Sequence, residues 1–222
     1  MSVRAFYGRY ADLYDAIATA PGVARWRERA ADALSLAPGD TVVEMGCGTG
    51  ANLPHLRERV GSEGRVVGVD LTRPLLDRAR ERTARWENVA VVEADATRPP
   101  VARADAVLAS FVVGMLPDPG AAVDDWCDLA AGRVALLDAT SSTHPLGRLL
   151  TPAFGAFVGA GAPADSPVDS FRQAVERGED APNRRLDRRV GAARDALVSR
   201  TVDRRYEEHA LGFVGVLSGR VE

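Results

Sequence analysis

Three glycines at alternate positions follow a short apolar run in the first third of the chain. The run Thr41–Met45 carries the acidic residue Glu44, and Gly46, Gly48 and Gly50 come directly after it. Glycine at such positions lets the backbone approach a ligand closely, because side chains there would collide with a bound cofactor or with the strand-to-helix turn. The segment favours a cofactor-binding loop, and a tight turn without a ligand is the alternative.

Two further acidic residues end the next two apolar runs. Asp70 lies 24 residues beyond Gly46, where dinucleotide-type folds place the carboxylate that accepts a ribose hydroxyl. Asp95 ends the third run, and a carboxylate at that edge can accept a hydrogen bond from the exocyclic amine of adenine. A helix cap at Asp70 and a solvated turn residue at Asp95 are the alternatives that do not involve a ligand.

The elements that must position these residues follow from the hydrophobic pattern. Short, continuous apolar runs are typical of strands buried on both faces of a parallel sheet. Segments with helical spacing lie between them, and Thr72 is a suitable N-cap for one of these helices. The pattern predicts a doubly wound α/β fold. The five runs are Thr41–Met45, Arg65–Asp70, Val89–Ala94, Asp105–Phe111 and Arg133–Asp138, and the helices between them are Ala51–Val60, one after Thr72, and Ala121–Leu129.

Further elements flank this core on both sides. An amphipathic helix is predicted before it and a less regular region, Ser141–Glu179, after it. Two strand-like runs close the sequence, and only Leu211 and Gly212 separate them, so they predict an antiparallel hairpin. The predicted flanking helices are Val23–Leu36, Leu146–Val158 and Leu186–Ser199, and the hairpin strands are Val202–Ala210 and Phe213–Val221.

Composition excludes several kinds of chemistry. All 28 basic residues are arginine, so no lysine can form a Schiff base or bind phosphate in a P-loop. Two cysteines, Cys47 and Cys127, and three scattered histidines argue against a metal cluster, and we expect no metal. The net charge of −3 does not indicate nucleic acid. The N-terminus lacks an apolar signal core, and no uncharged stretch reaches the roughly 20 residues of a membrane span. We therefore expect a soluble, cytoplasmic protein, with transient membrane contact left open.

In combination, the motifs resemble the class I S-adenosylmethionine-dependent methyltransferases. The resemblance is carried by Glu44–Gly50 (EMGCGTG), Val69-Asp70, Ala94-Asp95-Ala96 and Asp105–Met115. It covers residues 41–140 well and the C-terminal hairpin more loosely. It implies a Rossmann-like, seven-stranded sheet with helices on both faces and an antiparallel last strand, Phe213–Val221.

The same resemblance implies roles for individual residues toward S-adenosylmethionine. Glu44 and the glycine loop, including Cys47, would hold the methionine end, and Asp70 the ribose. Asp95 with Ala96 would hold the adenine, and Ser110 with Phe111 would face the sulfonium and the substrate. The implied cofactor-binding residues are Tyr14, Glu44, Gly46, Cys47, Gly48, Gly50, Asp70, Leu71, Asp95, Ala96, Ser110 and Phe111.

The N-terminal segment narrows the class of acceptor. Residues 7–15 (YGRYADLYD) resemble the tyrosine-rich opening of methyltransferases that act on quinone precursors and on phosphatidylethanolamine. There the segment covers the cofactor as a lid, which implies a role for Tyr14 and, second, for Tyr10; packing of a helix onto the core is the alternative. A carbon or phenolic acceptor would need a base, for which His144 is the first candidate, before Tyr206 and His209, whereas an amine would only have to arrive deprotonated. Tyr14 and His144 are thus the catalytic candidates.

Parts of the sequence also fit two other functions. Gly46-x-Gly48-x-x-Ala51 satisfies a loose dinucleotide pattern, so an NAD(P)-dependent oxidoreductase is an alternative. Glu44, the third glycine at Gly50 and the lack of a lysine for a Tyr-x-x-x-Lys pair argue against it. A non-catalytic S-adenosylmethionine-binding protein is the other alternative. The chain is predicted to be one domain, with a lid (1–40), a cofactor-binding core (41–140), a helical substrate cover (141–200) and a hairpin (201–222); its oligomeric state is not predicted.

Overall fold

The computed structural model describes residues 15, 16, 18–151 and 182–222. Three of the candidate features lie outside these residues. They are Tyr14 with the rest of the tyrosine-rich segment before residue 15, most of the predicted helix Leu146–Val158, and the greater part of the predicted substrate cover. Residues 145–151 are helical, as the prediction for that helix requires at its start.

The described chain contains seven strands and five helices of eight residues or more. The strands are β1 (Thr41–Met45), β2 (Arg65–Asp70), β3 (Val89–Glu93), β4 (Ala104–Ser110), β5 (Ala130–Ala139), β6 (Thr201–His209) and β7 (Val214–Val221). The helices are α1 (Pro21–Asp32), α2 (Leu53–Val60), α3 (Arg73–Thr83), α4 (Pro119–Leu129) and α5 (Pro182–Arg200). Short 3₁₀ turns at Val113–Met115 and Ala210–Gly212 follow β4 and β6.

The strands form one sheet in the order β3-β2-β1-β4-β5-β7-β6. The pairs from β3 through β5 are parallel, whereas β7 is antiparallel to both β5 and β6. The predicted fold class is thereby confirmed, including the antiparallel last strand. Because the carboxyl ends of β1, β2, β3 and β4 share one edge, the acidic residues at or just beyond these ends meet the glycines that follow β1 there.

Helices cover both faces of the sheet and bury its central strands. Residues of α1, α2 and α3 pack on one face, and residues of α4 and α5 pack on the other. Trp126 of α4 is fully buried, and its Nε1 donates to the carbonyl oxygen of Ala96 at 2.8 Å. Val190, Ala193 and Leu197, the apolar face predicted for the last helix, lie in the same cluster. None of the described helices is long and apolar enough to cross a membrane.

Several element boundaries differ from those predicted. α1 ends at Asp32 and not at Leu36, because the chain tightens there and Ser35 takes a left-handed φ of 54°. The N–H groups of Leu34 and Ser35 bond three residues back, to Ala31 and Asp32, which is a typical helix ending. β5 starts at Ala130, directly after α4, so no turn residue marks its beginning.

Candidate functional site

The glycine loop after β1 is packed against its neighbours on several sides. Gly46 has a φ of +70°, and a Cβ added there would lie 2.6 Å from Cγ2 of Val112. Gly50 has a φ of +75°, and a Cβ there would lie 2.9 Å from that of Ala79 in α3. These two positions therefore require glycine both for backbone conformation and for space.

Asp70, at the end of β2, ties this loop to the start of α3. Its Oδ2 accepts from the N–H of Gly48 at 3.0 Å, and its Oδ1 accepts from the N–H of Thr72 at 2.8 Å. Burial raises the pKa of this carboxyl group above its ordinary value, although both backbone hydrogen bonds act to lower it. Each oxygen keeps a further lone pair for a hydroxyl donor.

A buried polar network joins β1, the loop and β4. The side-chain amide of Asn52 donates to Oε1 of Glu44 and, at 2.9 Å, to Oγ of Ser110. Oε2 of Glu44 and Oδ1 of Asn52 are buried with no hydrogen-bond partner among the described residues. Burial raises the pKa of Glu44 to about 8, despite the opposing effects of Asn52 and Arg27. A buried oxygen without a partner beside the glycine loop can accept a hydrogen bond from a donor group of a bound ligand.

Phe111, just beyond β4, is held in an uncommon conformation. Its φ is 55°, and its N–H donates to the carbonyl oxygen of Leu137 at 2.7 Å. The guanidinium of the buried Arg27 lies 5.4 Å from the centre of the phenyl ring, and Nε of Arg27 donates to the carbonyl oxygen of Ala18 at 3.0 Å. Arg27 therefore joins α1 and the segment before it to the end of β4.

Arg82 of α3 makes a second link from the N-terminal segment to the loop. One guanidinium nitrogen contacts the carbonyl oxygen of Thr49 and lies 3.3 Å from its Oγ1. The other donates to both carboxylate oxygens of Asp15, at 2.8 and 3.0 Å. Burial raises the pKa of Asp15, but the hydrogen bonds from Thr49 and Arg82 outweigh it and bring the pKa below its ordinary value.

Asp95 and Ala96 lie past β3, at the same edge of the sheet. Asp95 is exposed, and its Oδ1 accepts from the N–H and the hydroxyl of Thr97, both at 2.9 Å. Ala96 is buried and accepts from Trp126, as described above. Leu71, which follows Asp70, is 47% exposed and offers an apolar side chain next to the ribose candidate.

The catalytic candidates lie apart from this cluster or outside the described residues. His144 is exposed, and its Nδ1 accepts from the N–H of Leu146 at 3.3 Å. Its backbone N–H donates to Oγ of Ser142, which in turn contacts the carbonyl oxygen of Leu211 in the β6–β7 connection. Tyr14 is outside the described residues. A catalytic role for either residue stays a prediction.

Sequence reasoning missed several residues that organise this edge. Asn52, Arg27 and Arg82 act through contacts with residues far away in the chain, which no local pattern indicates. Asp138, near the end of β5, is fully buried, and burial raises its pKa to about 8 although Arg194 lowers it. A cavity of about 580 Å³ opens beside this strand end; its lining is Thr140, Ser141, Ser142, Thr143, Arg148, Asp187, Gly191 and Arg194.

Among the described residues, no cluster of three or more histidine, cysteine or acidic side chains could hold a metal ion. Cys47 and Cys127 are both buried and unpaired. Burial raises the pKa of both thiols. Cys47 packs under the loop, where its Sγ would lie 2.9 Å from a Cβ added at Gly68.

Comparison with known proteins agrees with this geometry. Residues 42–131 match the model of a methyltransferase domain. A methyltransferase from Thermotoga maritima with a solved structure superposes with a TM-score of 0.63 at 16% identity, over 100% of both chains. The fold is that of the class I methyltransferases. The resemblance inferred from the motifs is confirmed, and S-adenosylmethionine is supported as the cofactor.

Two curated relatives carry names that describe small-molecule acceptors. The aklanonic acid methyltransferase of Streptomyces sp. strain C5 is 37% identical over 44% of this chain and 47% of its own. The 2-phytyl-1,4-naphtoquinone methyltransferase of Thermosynechococcus vestitus is 34% identical over 46% of each chain. The chain therefore spans less than half the length of these relatives.

Proposed function

We propose that this chain is an S-adenosylmethionine-dependent methyltransferase that acts on a small, ring-containing acceptor of the quinone-precursor type. The observation that carries the proposal is the placement of Glu44, Asp70 and Asp95 at or just beyond the ends of successive strands, around a loop in which two glycines leave no room for a side chain. The names of the relatives support the acceptor class, because one of them names a naphtoquinone and the other names aklanonic acid, a small organic acid.

The residues at this edge fit the parts of S-adenosylmethionine in turn. The unpartnered Oε2 of Glu44 is an acceptor for the ammonium of the methionine end. Asp70 has one backbone N–H on each oxygen and keeps lone pairs for the two ribose hydroxyls. Asp95 uses Oδ1 for Thr97 and leaves Oδ2 for an adenine amine, with the buried Ala96 beside it.

S-adenosylmethionine supplies a methyl group on a sulfonium centre, so the reaction needs alignment and exclusion of water more than activation. Ser110 is anchored by Asn52, and the Phe111 ring is fixed by its backbone and by Arg27. These two residues would border the reacting methyl group, orient the acceptor and keep water out. Neither side chain is a strong base, so proton removal from a carbon or phenolic acceptor would fall to another group.

The cavity beside β5 is the proposed place of the acceptor. Its volume of about 580 Å³ lies in the range of roughly 300–1,000 Å³ found for small-molecule sites. It borders β5, the neighbour of β4 in the sheet, so it lies one strand away from Ser110. His144 directly follows the lining residues 140–143, which supports its candidacy as a base. The division of the chain into lid, core, cover and hairpin remains a prediction.

Methyl transfer tests this function directly. The protein is incubated with S-adenosylmethionine labelled in the methyl group and with a metabolite extract supplemented with hydroxylated naphthoquinones, and labelled small molecules are then separated. We expect label in a ring-containing product with the native chain and much less with Asp70→Ala when S-adenosylmethionine is kept below saturation. Binding of S-adenosylhomocysteine without any transfer would identify a non-catalytic binding protein instead. The absence of both binding and transfer would exclude the methyltransferase and the non-catalytic binding protein alike.

A further inference from the structure

The outer edge of the sheet carries a charge pattern that is complementary to its own two-fold copy. β6 is the last strand in the sheet order, and residues 203–208 are all exposed. From Arg204 to Glu208 the strand has the sequence Arg-Arg-Tyr-Glu-Glu, with two basic residues before Tyr206 and two acidic residues after it. An edge strand presents unpaired backbone N–H and C=O groups to any strand that approaches it.

The two arginines of this pattern have no ion pair within the part of the chain that the structure describes. Nε of Arg204 donates to the carbonyl oxygen of Thr201 at 2.7 Å, and Nη1 of Arg205 lies 3.5 Å from Oγ of Ser35. Both of these partners are neutral. Other surface arginines are matched with carboxylates, for example Arg59 with Asp32 at 2.6 Å.

The two glutamates are also without a permanently charged partner in the described chain. Glu207 lies 3.6 Å from Nε2 of His209, which is charged only when protonated. Glu208 lies 3.3 Å from the hydroxyl of Tyr206. The short separation of Glu207 from His209 agrees with the alternation of a strand, in which residues two apart share a face.

Antiparallel pairing about a two-fold axis at Tyr206 matches all of these charges at once. Arg205 then faces Glu207 of the second copy, Arg204 faces Glu208 of the second copy, and symmetry repeats both pairs. Directly opposite side chains lie on one face of the sheet with Cβ atoms about 5 Å apart, so opposite charges attract and like charges repel.

Other registers lose this match. A shift by one residue keeps half of the arginine–glutamate pairs. A shift by two residues places Arg205 opposite Arg205, or Glu207 opposite Glu207. Charged side chains on an edge strand normally prevent pairing with other strands. Here the order of basic and acidic residues favours pairing with a second copy of β6 in the antiparallel register about Tyr206.

We propose that two copies of this chain form a two-fold dimer by antiparallel pairing of their β6 strands about Tyr206. The regular pairing of β6 with β7 is interrupted between Val202 and Arg205 and resumes at Arg205, so the core of the pairing segment is Arg205 to Glu207, with Arg204 at its margin. Asp203, at this irregularity, has a φ of 48° and is bound to Arg220 at 2.9 Å. The glycine loop follows β1, which three strands separate from β6, so the dimer leaves the cofactor site open. The dimer is independent of the proposed function.

Charge exchange on the edge tests the dimer with the full chain. Analytical ultracentrifugation from about 1 µM to 1 mM is run on the native chain, on Arg204→Glu/Arg205→Glu and on Glu207→Arg/Glu208→Arg. We expect each double variant alone to raise the dimer dissociation constant by at least about 30-fold, because every cross-strand pair becomes like-charged. An equimolar mixture of the two should form a heterodimer with an affinity within about fivefold of the native dimer.

A matched control changes the same charges elsewhere. Arg65→Glu/Arg103→Glu alters two exposed arginines at the amino ends of β2 and β4 and should leave the dissociation constant unchanged. A native chain that is monomeric at 1 mM would overturn the proposal, as would double variants that dimerise normally or a mixture that stays monomeric. If the double variants fail to fold, the native dimer is measured in salt. Its dissociation constant should rise about tenfold or more from 0.05 to 0.5 M NaCl, and a constant value would overturn the proposal.

Discussion

At the scale of single residues, the site depends on positions where the packing leaves no room for a larger side chain or where one polar group serves two partners. Gly46 combines a left-handed backbone with close contact to Val112, and Asn52 satisfies Glu44 and Ser110 with one amide group. Both residues hold the end of β1 against the end of β4. The loop is therefore shaped before any ligand binds, which favours tight and specific binding.

Replacement of Gly46 tests this shape. Gly46→Ala should lower the free energy of unfolding by about 2–4 kcal/mol, because alanine pays for the left-handed φ and overlaps with Val112. Gly22→Ala is the matched control, since nothing lies within 4 Å of its added Cβ and Gly22 is in α1. It should raise stability by up to about 1 kcal/mol. Urea denaturation measures both, and equal effects would contradict the account.

At the scale of elements, α3 connects the glycine loop to the segment before α1 through one side chain. Arg82 contacts Thr49 on one side and Asp15 on the other. Hydrogen bonds between charged groups in a partly buried setting are stronger than exposed ion pairs. The position of the N-terminal segment and the shape of the loop are consequently coupled.

Two arginines of α3 allow this coupling to be measured. Arg82→Gln should lower the free energy of unfolding by about 1–3 kcal/mol, because it leaves Asp15 and Thr49 without their donor. Arg80→Gln removes an exposed pair with Asp77 from the same helix and should cost less than about 0.5 kcal/mol. Chemical denaturation measures the free energy of unfolding of both variants. A decrease for Arg80→Gln as large as that for Arg82→Gln would refute a special role for Arg82.

The elements themselves were largely predictable, and the contacts between them were not. Buried strands of a parallel sheet have continuous apolar runs, so all seven strands and the antiparallel hairpin were anticipated from pattern and resemblance. The start of β5 at Ala130 was missed because the chain passes from α4 to β5 without glycine or proline. Asn52 and Arg27 were missed because their partners, Ser110 and Phe111, become neighbours only after the sheet has formed.

At the scale of the whole molecule, two buried carboxyl groups link stability to pH. Burial raises the pKa of Glu44 and of Asp138 to about 8, from ordinary values of 4.5 and 3.8. The folded state therefore binds more protons than the unfolded state between these values. The stability that these two protonated groups contribute is fully present below their unfolded pKa values and is lost as the pH rises through 8. Burial lowers the pKa of His55, which acts in the opposite direction below about pH 6.5.

The window from pH 6.5 to 8 isolates this effect. The free energy of unfolding should fall with rising pH by up to about 1.4 kcal/mol per pH unit for each of the two groups. Glu44→Gln should remove its share of that slope, whereas Glu63→Gln, an exposed control, should leave it unchanged. Denaturation curves at four pH values provide the slopes. A native slope that is flat or rising would contradict the protonated state of these groups.

Calorimetric titration with S-adenosylhomocysteine tests the central claim most directly. We predict one binding site per chain, and we predict that Asp70→Ala weakens binding by about 1–3 kcal/mol, or roughly 5- to 150-fold, by removing the acceptor of the ribose hydroxyls. Asp77→Ala, an exposed acid on α3, should bind as the native chain does. A native chain with no binding up to about 100 µM, or an Asp70→Ala variant with unchanged affinity, would contradict the account.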